Sequence, residues 1–195
     1  MLAYYLSHPD VTIDPKVPVK DWGLSARGRE RAEALAERHV LPFRAPLFAS
    51  SERKALDLAE ILARANGGLV RSDGQFDEND RSATGFLPEE QFEAMADRFF
   101  AEPDKSAAGW ERAVDAQARI VAAVSEALER VREPALFCGH GGVGTLLKCW
   151  VGQRAIARSE DQGRIGAPGG GNIFVFNLAE RRLISDWTPF EAFTG

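Results

Sequence analysis

The chain alternates between short apolar runs and longer segments in which apolar residues recur at helical spacing. Continuous short apolar runs are typical of strands that helices cover on both faces. Six runs of this kind are predicted to be strands: Leu2–Leu6, Pro46–Ala49, Leu69–Arg71, Ala135–Cys138, Asn172–Asn177 and Arg182–Trp187. The last two lie on either side of Ala179–Glu180 and are predicted to form a hairpin.

Helical spacing predicts five helices. They run from a cap at Ser25 to about His39, from Ser50 or Ser51 to about Ala65, from Pro88 to about Ala101, over Trp110–Val131, and onward from Gly141-Gly142. The second helix has a clear apolar stripe, formed by Ala55, Leu58, Ala59 and Leu62. In the fourth helix the larger aliphatic residues suggest a buried seam of Val114, Ala118, Val121, Leu128 and Val131.

Strands that alternate with helices favour a three-layer α/β/α fold with a mostly parallel sheet of about six strands. Three segments lack a periodic core pattern: Val11–Trp22, Asp73–Leu87 and Ala157–Gly171. Loops of this length in a compact domain are usually functional or disordered, so we expect them at the rim of a site. The stretch Pro168–Asn172 is glycine-rich but lacks the Gly-Lys-Ser/Thr ending of a P-loop, which favours a flexible rim.

Composition narrows the possible partners. The chain has 195 residues, enough for one domain, and its formal net charge is −5. It has no basic tract, signal peptide pattern or long apolar run, so neither nucleic acid nor a membrane is expected as a partner. Its two cysteines, Cys138 and Cys149, form no disulfide framework or metal-ligand motif, and a reduced cytoplasmic location is expected.

Two predicted strands end in a small residue followed by histidine. Leu2–Asp10 reads L-A-Y-Y-L-S-H-P-D, and the fourth strand reads A-L-F-C-G-H-G-G-V-G. Ligands of open α/β sheets bind outside the carboxyl ends of strands, so His8 and His140 meet in one crevice if these strands are parallel neighbours. The third histidine, His39, lies late in a charged helix and is expected to be solvated.

These strand ends resemble the first and last motifs of the histidine phosphatase superfamily, also called phosphoglycerate mutase-like. Between them, in the family's order, lie L-S-A-R-G-R-E-R-A at Leu24–Ala32, S-S-E-R-K-A-L-D-L-A at Ser50–Ala59 and an acidic loop; Gly139–Gly142 reads G-H-G-G. The resemblance covers nearly the whole chain. It implies one phosphoglycerate mutase-like domain over residues 1–195, with a small lid at about 73–108.

The resemblance also implies a role for each matching residue. His8 takes the place of the histidine that becomes phosphorylated, His140 that of the second histidine, and Glu78 in F-D-E-N-D-R-S that of the acid/base. Lys54 stands where the family has its second arginine, with Arg53 as its neighbour. The chemistry is consistent, because a neutral imidazole is nucleophilic near pH 7 and a carboxylate can serve both proton transfers. Backbone amides near Gly141 can bind phosphate oxygens.

The cationic part of the pattern departs from the family. Ser7 and Pro9 replace the arginine and glycine that flank the family's first histidine. A serine offers one neutral hydrogen bond where a guanidinium offers a charged fork. Arg81 enters from the lid as a replacement, or pairs on the surface with Asp80 or Asp77.

The predicted function is a phosphatase that hydrolyses a small phosphomonoester through a phosphohistidine at His8. It needs no metal or other cofactor, and Glu78 is the acid/base; Asp10, Asp77 and Asp80 compete with Glu78 for that role. The alternative is a weakened or non-catalytic member that binds a phosphorylated ligand or protein. A third hypothesis places a metal between His8, His140 and a carboxylate.

Overall fold

A computed structural model describes residues 1–195 of the chain. Six strands form one sheet: β1 (Ala3–Ser7), β2 (Leu47–Ala49), β3 (Val70–Ser72), β4 (Ala135–Gly139), β5 (Asn172–Asn177) and β6 (Arg182–Pro189). Every predicted strand is present, with shifts of at most two residues at the ends. The short strands β1, β2 and β4 are almost wholly apolar because both faces of the sheet are covered.

The strand order is β3-β2-β4-β1-β5-β6. The pairs β3–β2, β2–β4 and β4–β1 are parallel, whereas β5 runs antiparallel to both β1 and β6. The mostly parallel sheet and the hairpin of the last two strands are therefore confirmed. Ser7 is the register partner of Gly139, so His8 and His140 leave neighbouring strands at the same edge of the sheet.

Six helices cover the sheet: α1 (Ala26–Glu37), α2 (Arg53–Asn66), α3 (Glu89–Ala101), α4 (Ala113–Glu129), α5 (Gly141–Val151) and α6 (Gln162–Ile165). Ser25 caps α1 as predicted, since its hydroxyl accepts from the Gly28 amide at 3.0 Å. The short helix α6 was not predicted; it falls in a segment without apolar periodicity. No helix has both the length and the apolar character needed to cross a membrane.

Most of the seam predicted for α4 is wrong: of its five residues only Val131, just past the end of the helix, is buried. Ala118 is exposed and Val114, Val121 and Leu128 are only partly covered. The buried face of the helix is instead Ala113, Ala116, Ile120, Ala123, Val124 and Ala127. Four of these six residues are alanines, whose small side chains allow the helix to lie close to its neighbours.

Candidate active site

The two imidazoles meet at the carboxyl edge of the sheet. The ring centroids of His8 and His140 are 5.2 Å apart, and the rings are inclined at 74°. The parallel pairing of β1 with β4 brings them together. Residues separated by more than half of the chain therefore lie side by side, as the strand ends predict.

The tautomer of His8 follows from its neighbour Pro9. Nδ1 of His8 lies 3.0 Å from the Pro9 carbonyl oxygen, which can only accept, so Nδ1 carries the proton. Nε2 makes no hydrogen bond within the protein and keeps its lone pair. Burial, together with the charges of His140 and Lys54, lowers the pKa of His8 to about 3. The side chain is thus a neutral imidazole with a free nucleophilic nitrogen at neutral pH.

The glycine-rich stretch before β5 supports His8. Gly169, Gly170 and Gly171 all have positive φ angles, of 85°, 83° and 68°. The Gly171 amide donates to the His8 carbonyl at 3.1 Å, and a Cβ on Gly170 would collide with the same carbonyl. This stretch was expected to be a flexible rim, and it instead holds the backbone of His8 in place.

Tyr5 and Ser50 position His140. The Tyr5 hydroxyl accepts from the His140 amide at 3.1 Å and donates to the His140 carbonyl at 3.2 Å. Side chains at Gly139 or Gly144 would collide with the Tyr5 ring, so both glycines make room for it. Nε2 of His140 lies 2.8 Å from Oγ of Ser50.

A chain of hydrogen bonds defines the tautomer of His140. The Ser50 hydroxyl donates its only proton to Asp77 at 2.7 Å, so Nε2 of His140 must donate to Ser50. Nδ1 of His140 is buried and has no partner. Burial lowers the pKa of His140, while Glu52 and Glu78 oppose that effect. In the free protein this imidazole is therefore neutral, with an unused nitrogen in the pocket.

Glu78 lies at the amino end of α5. Its carboxylate accepts from the amides of Val143 at 2.9 Å and Gly142 at 3.1 Å. A Cβ on Gly142 would lie 2.6 Å from Oε1 of Glu78, so a glycine is required for this approach. Burial raises the pKa of Glu78, but His140, Arg81 and the Val143 amide outweigh it and lower the pKa overall. An anion thus occupies a helix terminus that suits phosphate equally well.

Lys54 is buried in the pocket, but its charge is already paired. Its ammonium group contacts the carboxylate of Glu52 and donates to the Val19 carbonyl at 2.9 Å. Its charge contributes to the lowered pKa of His8 and of His140, which places it near both rings. Arg53 points elsewhere: it forms an ion pair with Asp57 at 2.7 Å and its side chain is 52% exposed.

Arg81 lies in segment 73–108, for which the sequence predicts a lid. Its guanidinium stacks over Phe92 at 5.1 Å and Trp110 at 5.5 Å, and it forms no ion pair with Asp80 or Asp77. The surface pairing considered for it is therefore absent. The charge of Arg81 lowers the pKa of both Glu78 and His140, so the cation lies close to the pocket.

The remaining candidates are held by other contacts. Ser7 is buried, and its hydroxyl accepts from the Asn172 amide at 3.1 Å, which ties β1 to β5. Asp10 pairs with Arg31 at 2.8 Å. Gly141 opens α5, where a side chain would collide with the amide of Gln162.

The other two acidic candidates do not compete closely with Glu78. Asp77 binds the hydroxyls of Ser50 and Ser51, and exposed Asp80 accepts from the Ser82 amide at 2.8 Å. No group of three His, Cys, Asp or Glu side chains is arranged to hold a metal ion.

Sequence reasoning missed Glu52 and Ser50. Glu52 is mostly buried, with Oε1 3.6 Å from Nε2 of His140 and 3.1 Å from the Glu78 amide. The signal was present in S-S-E-R-K, since a glutamate directly before a helix that carries a site lysine is close enough to pair with it. Ser50 was considered only as a helix start.

The family model described as histidine phosphatase superfamily (branch 1) matches residues 17–164, a segment that contains His140 and begins after His8. No curated protein sequence matches the chain.

Solved structures share the fold at low identity. Mycobacterial glucosyl-3-phosphoglycerate phosphatase with inorganic phosphate is 22% identical with a TM-score of 0.74, covering 98% of this chain and 99% of its own. Mycobacterial hydrolase 2 is 21% identical with a TM-score of 0.76, covering 100% and 92%. YhfR of Bacillus stearothermophilus is 21% identical with a TM-score of 0.71, covering 89% of each chain. These likenesses show the fold. The family match, which spans most of the chain, shows that this protein belongs to the histidine phosphatase superfamily.

Proposed function

We propose that the protein is a phosphatase that hydrolyses a small phosphomonoester through a phosphohistidine at His8. The observation that carries this proposal is the pairing of a free Nε2 on His8 with the second imidazole of His140, whose ring centroid is 5.2 Å away. A neutral imidazole needs no separate base to act as a nucleophile. The family membership and the phosphatase among the similar structures support the same reaction class.

The first half of the reaction transfers the phosphoryl group to the protein. Nε2 of His8 forms a bond to phosphorus while the ester P–O bond breaks in line with it. The departing alkoxide takes a proton from Glu78. In the second half, water attacks phosphorus, the P–N bond breaks, and Glu78 takes a proton from the water. Inorganic phosphate then leaves.

Glu78 must move for these steps. Its carboxylate accepts hydrogen bonds from the amides of Gly142 and Val143. Phosphate oxygens bind well at the same donors, because they lie at the amino end of a helix. In this proposal the incoming phosphoryl group displaces Glu78 from the helix terminus. Next to that anion the carboxyl group takes up a proton, because a like charge disfavours the ionised form. The displaced group is then an acid that can protonate the leaving oxygen.

The lid supplies the free cation. Segment 73–108 carries both Glu78 and Arg81, and Arg81 is the guanidinium that takes over from the arginine replaced by Ser7. Lys54 remains paired with Glu52, and His140 donates to a phosphoryl oxygen once it is protonated. The stabilising charges therefore come from the lid and from the strand-end histidine.

Hydrolysis of an aryl phosphate tests the proposal. The wild-type protein is expected to release phosphate and to form an acid-labile phosphoenzyme that His8→Ala lacks. His39→Ala is a matched control, since His39 is exposed and lies just past the carboxyl end of α1. Turnover by His8→Ala at the wild-type rate would refute the mechanism.

A second function is favoured by the pairing of Lys54 with Glu52. In this pairing the charge of Lys54 is neutralised by Glu52, and the family's first arginine is already replaced by Ser7. Cations stabilise the transition state of phosphoryl transfer, so their loss lowers the rate of hydrolysis. A protein of this kind binds a phosphorylated ligand without turning it over. Phosphate binding in the absence of hydrolysis and of any phosphoenzyme would establish this function instead.

A further inference from the structure

We propose that Glu52 makes this pocket select a phosphoryl group that carries a single negative charge. The inference rests on the phosphate-binding part of the proposed function. It concerns the charge state of the bound group, about which the family match says nothing.

The carboxylate of Glu52 is mostly buried and held in a fixed position beside His140. Its side chain is 11% exposed, and its two oxygens are held by different elements of the pocket. Oε1 accepts from the Glu78 amide at 3.1 Å and lies 3.6 Å from Nε2 of His140, while Oε2 contacts the ammonium group of Lys54. A carboxylate is thus fixed beside the histidine that faces the phosphoryl site.

The negative charge of Glu52 is paired with the positive charge of Lys54. Lys54 faces it from α2, His140 from the start of α5, and Glu78 from segment 73–108. Burial raises the pKa of Glu52, but His140 and Lys54 outweigh this and lower it to about 2, so it remains ionised. The charge of Arg81 also acts on His140.

A dianion fits this arrangement poorly. Both oxygens of an ionised carboxylate can only accept hydrogen bonds, so an unprotonated phosphoryl oxygen meets repulsion at Glu52. A monoanion keeps one P–OH group, which can donate to the carboxylate, and it carries half of the charge. Glu52 therefore lowers the affinity for the dianion without the same penalty for the monoanion.

Calorimetric titration with inorganic phosphate tests the inference. For the wild-type protein, Kd is expected to rise about tenfold or more between about pH 5.5 and about pH 8.5, as phosphate loses its second proton. Glu52→Gln keeps the size of the side chain and removes its charge. At the higher pH this variant is expected to bind phosphate about tenfold more tightly than the wild type.

Two further variants make the test specific. Glu60→Gln changes the same charge on an exposed part of α2 and should leave phosphate affinity unchanged. Glu52→Ser also removes the carboxylate and places a favourable residue at the helix N-cap. It should reproduce the gain if Glu52→Gln fails to fold.

The result at high pH decides the inference. If protonation of His140 alone produced the pH dependence, loss of Glu52 would weaken binding at low pH and give no gain at high pH. An absent gain, or wild-type binding that strengthens as pH rises, would overturn the inference. Failure of the proposed function is read separately, from turnover and phosphoenzyme formation by His8→Ala.

Discussion

Nε2 of His140 donates to Oγ of Ser50 across 2.8 Å, and this bond leaves Nδ1 of the same ring buried without a partner. The serine cannot reverse the direction, because its single proton is committed to Asp77. A hydroxyl and a carboxylate outside the reacting atoms thus determine which nitrogen of His140 carries the proton. Neutral imidazoles have two tautomers, so this positioning matters for proton donation to a phosphoryl group.

Ser50→Ala tests this positioning role. Loss of one buried hydrogen bond costs about 1–3 kcal/mol, so kcat is expected to fall about tenfold to a hundredfold if the bond is needed in the transition state. KM should change less, and the acid limb of the pH profile should shift. Ser51→Ala is the control, since Ser51 also binds Asp77 but does not contact His140. Ser50→Thr, which keeps the hydroxyl, should recover turnover; an unchanged pH profile in Ser50→Ala would contradict the role.

Glu78→Gln tests the acid/base assignment. Loss of general acid–base catalysis is expected to lower kcat by about a hundredfold to ten-thousandfold. The loss should be larger for an alkyl phosphate than for an aryl phosphate, because the poorer leaving group depends more on protonation. Asp80→Asn changes an exposed carboxyl nearby and should have little effect. Equal losses with both substrates would mean that Glu78 serves only as a cap of α5.

Arg81→Gln tests the replacement cation. A guanidinium that stabilises the transferred phosphoryl group is worth about a thousandfold or more in rate, so turnover should fall by that order. Arg81→Lys should recover part of it, since the charge returns without the fork. Arg53→Gln is the matched control, because Arg53 is half-exposed and pairs with Asp57. A comparable loss of turnover in Arg81→Gln and Arg53→Gln would show that Arg81 does not stabilise the phosphoryl group.

The pH dependence of stability follows from His8. Its pKa is lowered to about 3 from the ordinary value of 6.5. Between these two pH values the unfolded chain binds a proton at this histidine and the folded chain does not. Stability from this residue is complete above 6.5 and is lost as pH falls from 6.5 towards 3. Urea unfolding across this window should show a flatter pH dependence for His8→Gln than for the wild type.

The exposed histidine provides the control for that measurement. His39→Gln should leave the pH dependence unchanged. Glu52, whose pKa is lowered from 4.5 to about 2, loses its contribution only as pH falls below 4.5, so the slope between pH 6.5 and 4.5 is free of its effect. A slope that His8→Gln does not alter would contradict the neutral, desolvated state of His8.

The apolar pattern was sufficient to predict the strands, the five longer helices and the meeting of His8 with His140. Burial is the dominant force, and its period in the chain reports the element type directly. The pattern failed on α4, where alanines form most of the buried face while Val114, Val121 and Leu128 are only partly covered. It also failed on α6, which is too short to have a period.

The pocket's charges were decided only by tertiary structure. The sequence by itself determined the family-like order of motifs, the two strand-end histidines, and the replacement of an arginine by Ser7. It could not tell that Glu52 neutralises Lys54, or that Arg81 lies near the pocket rather than against Asp80. Such pairings depend on distances of a few ångströms between separate elements, and Coulomb and hydrogen-bond energies vary steeply over that range.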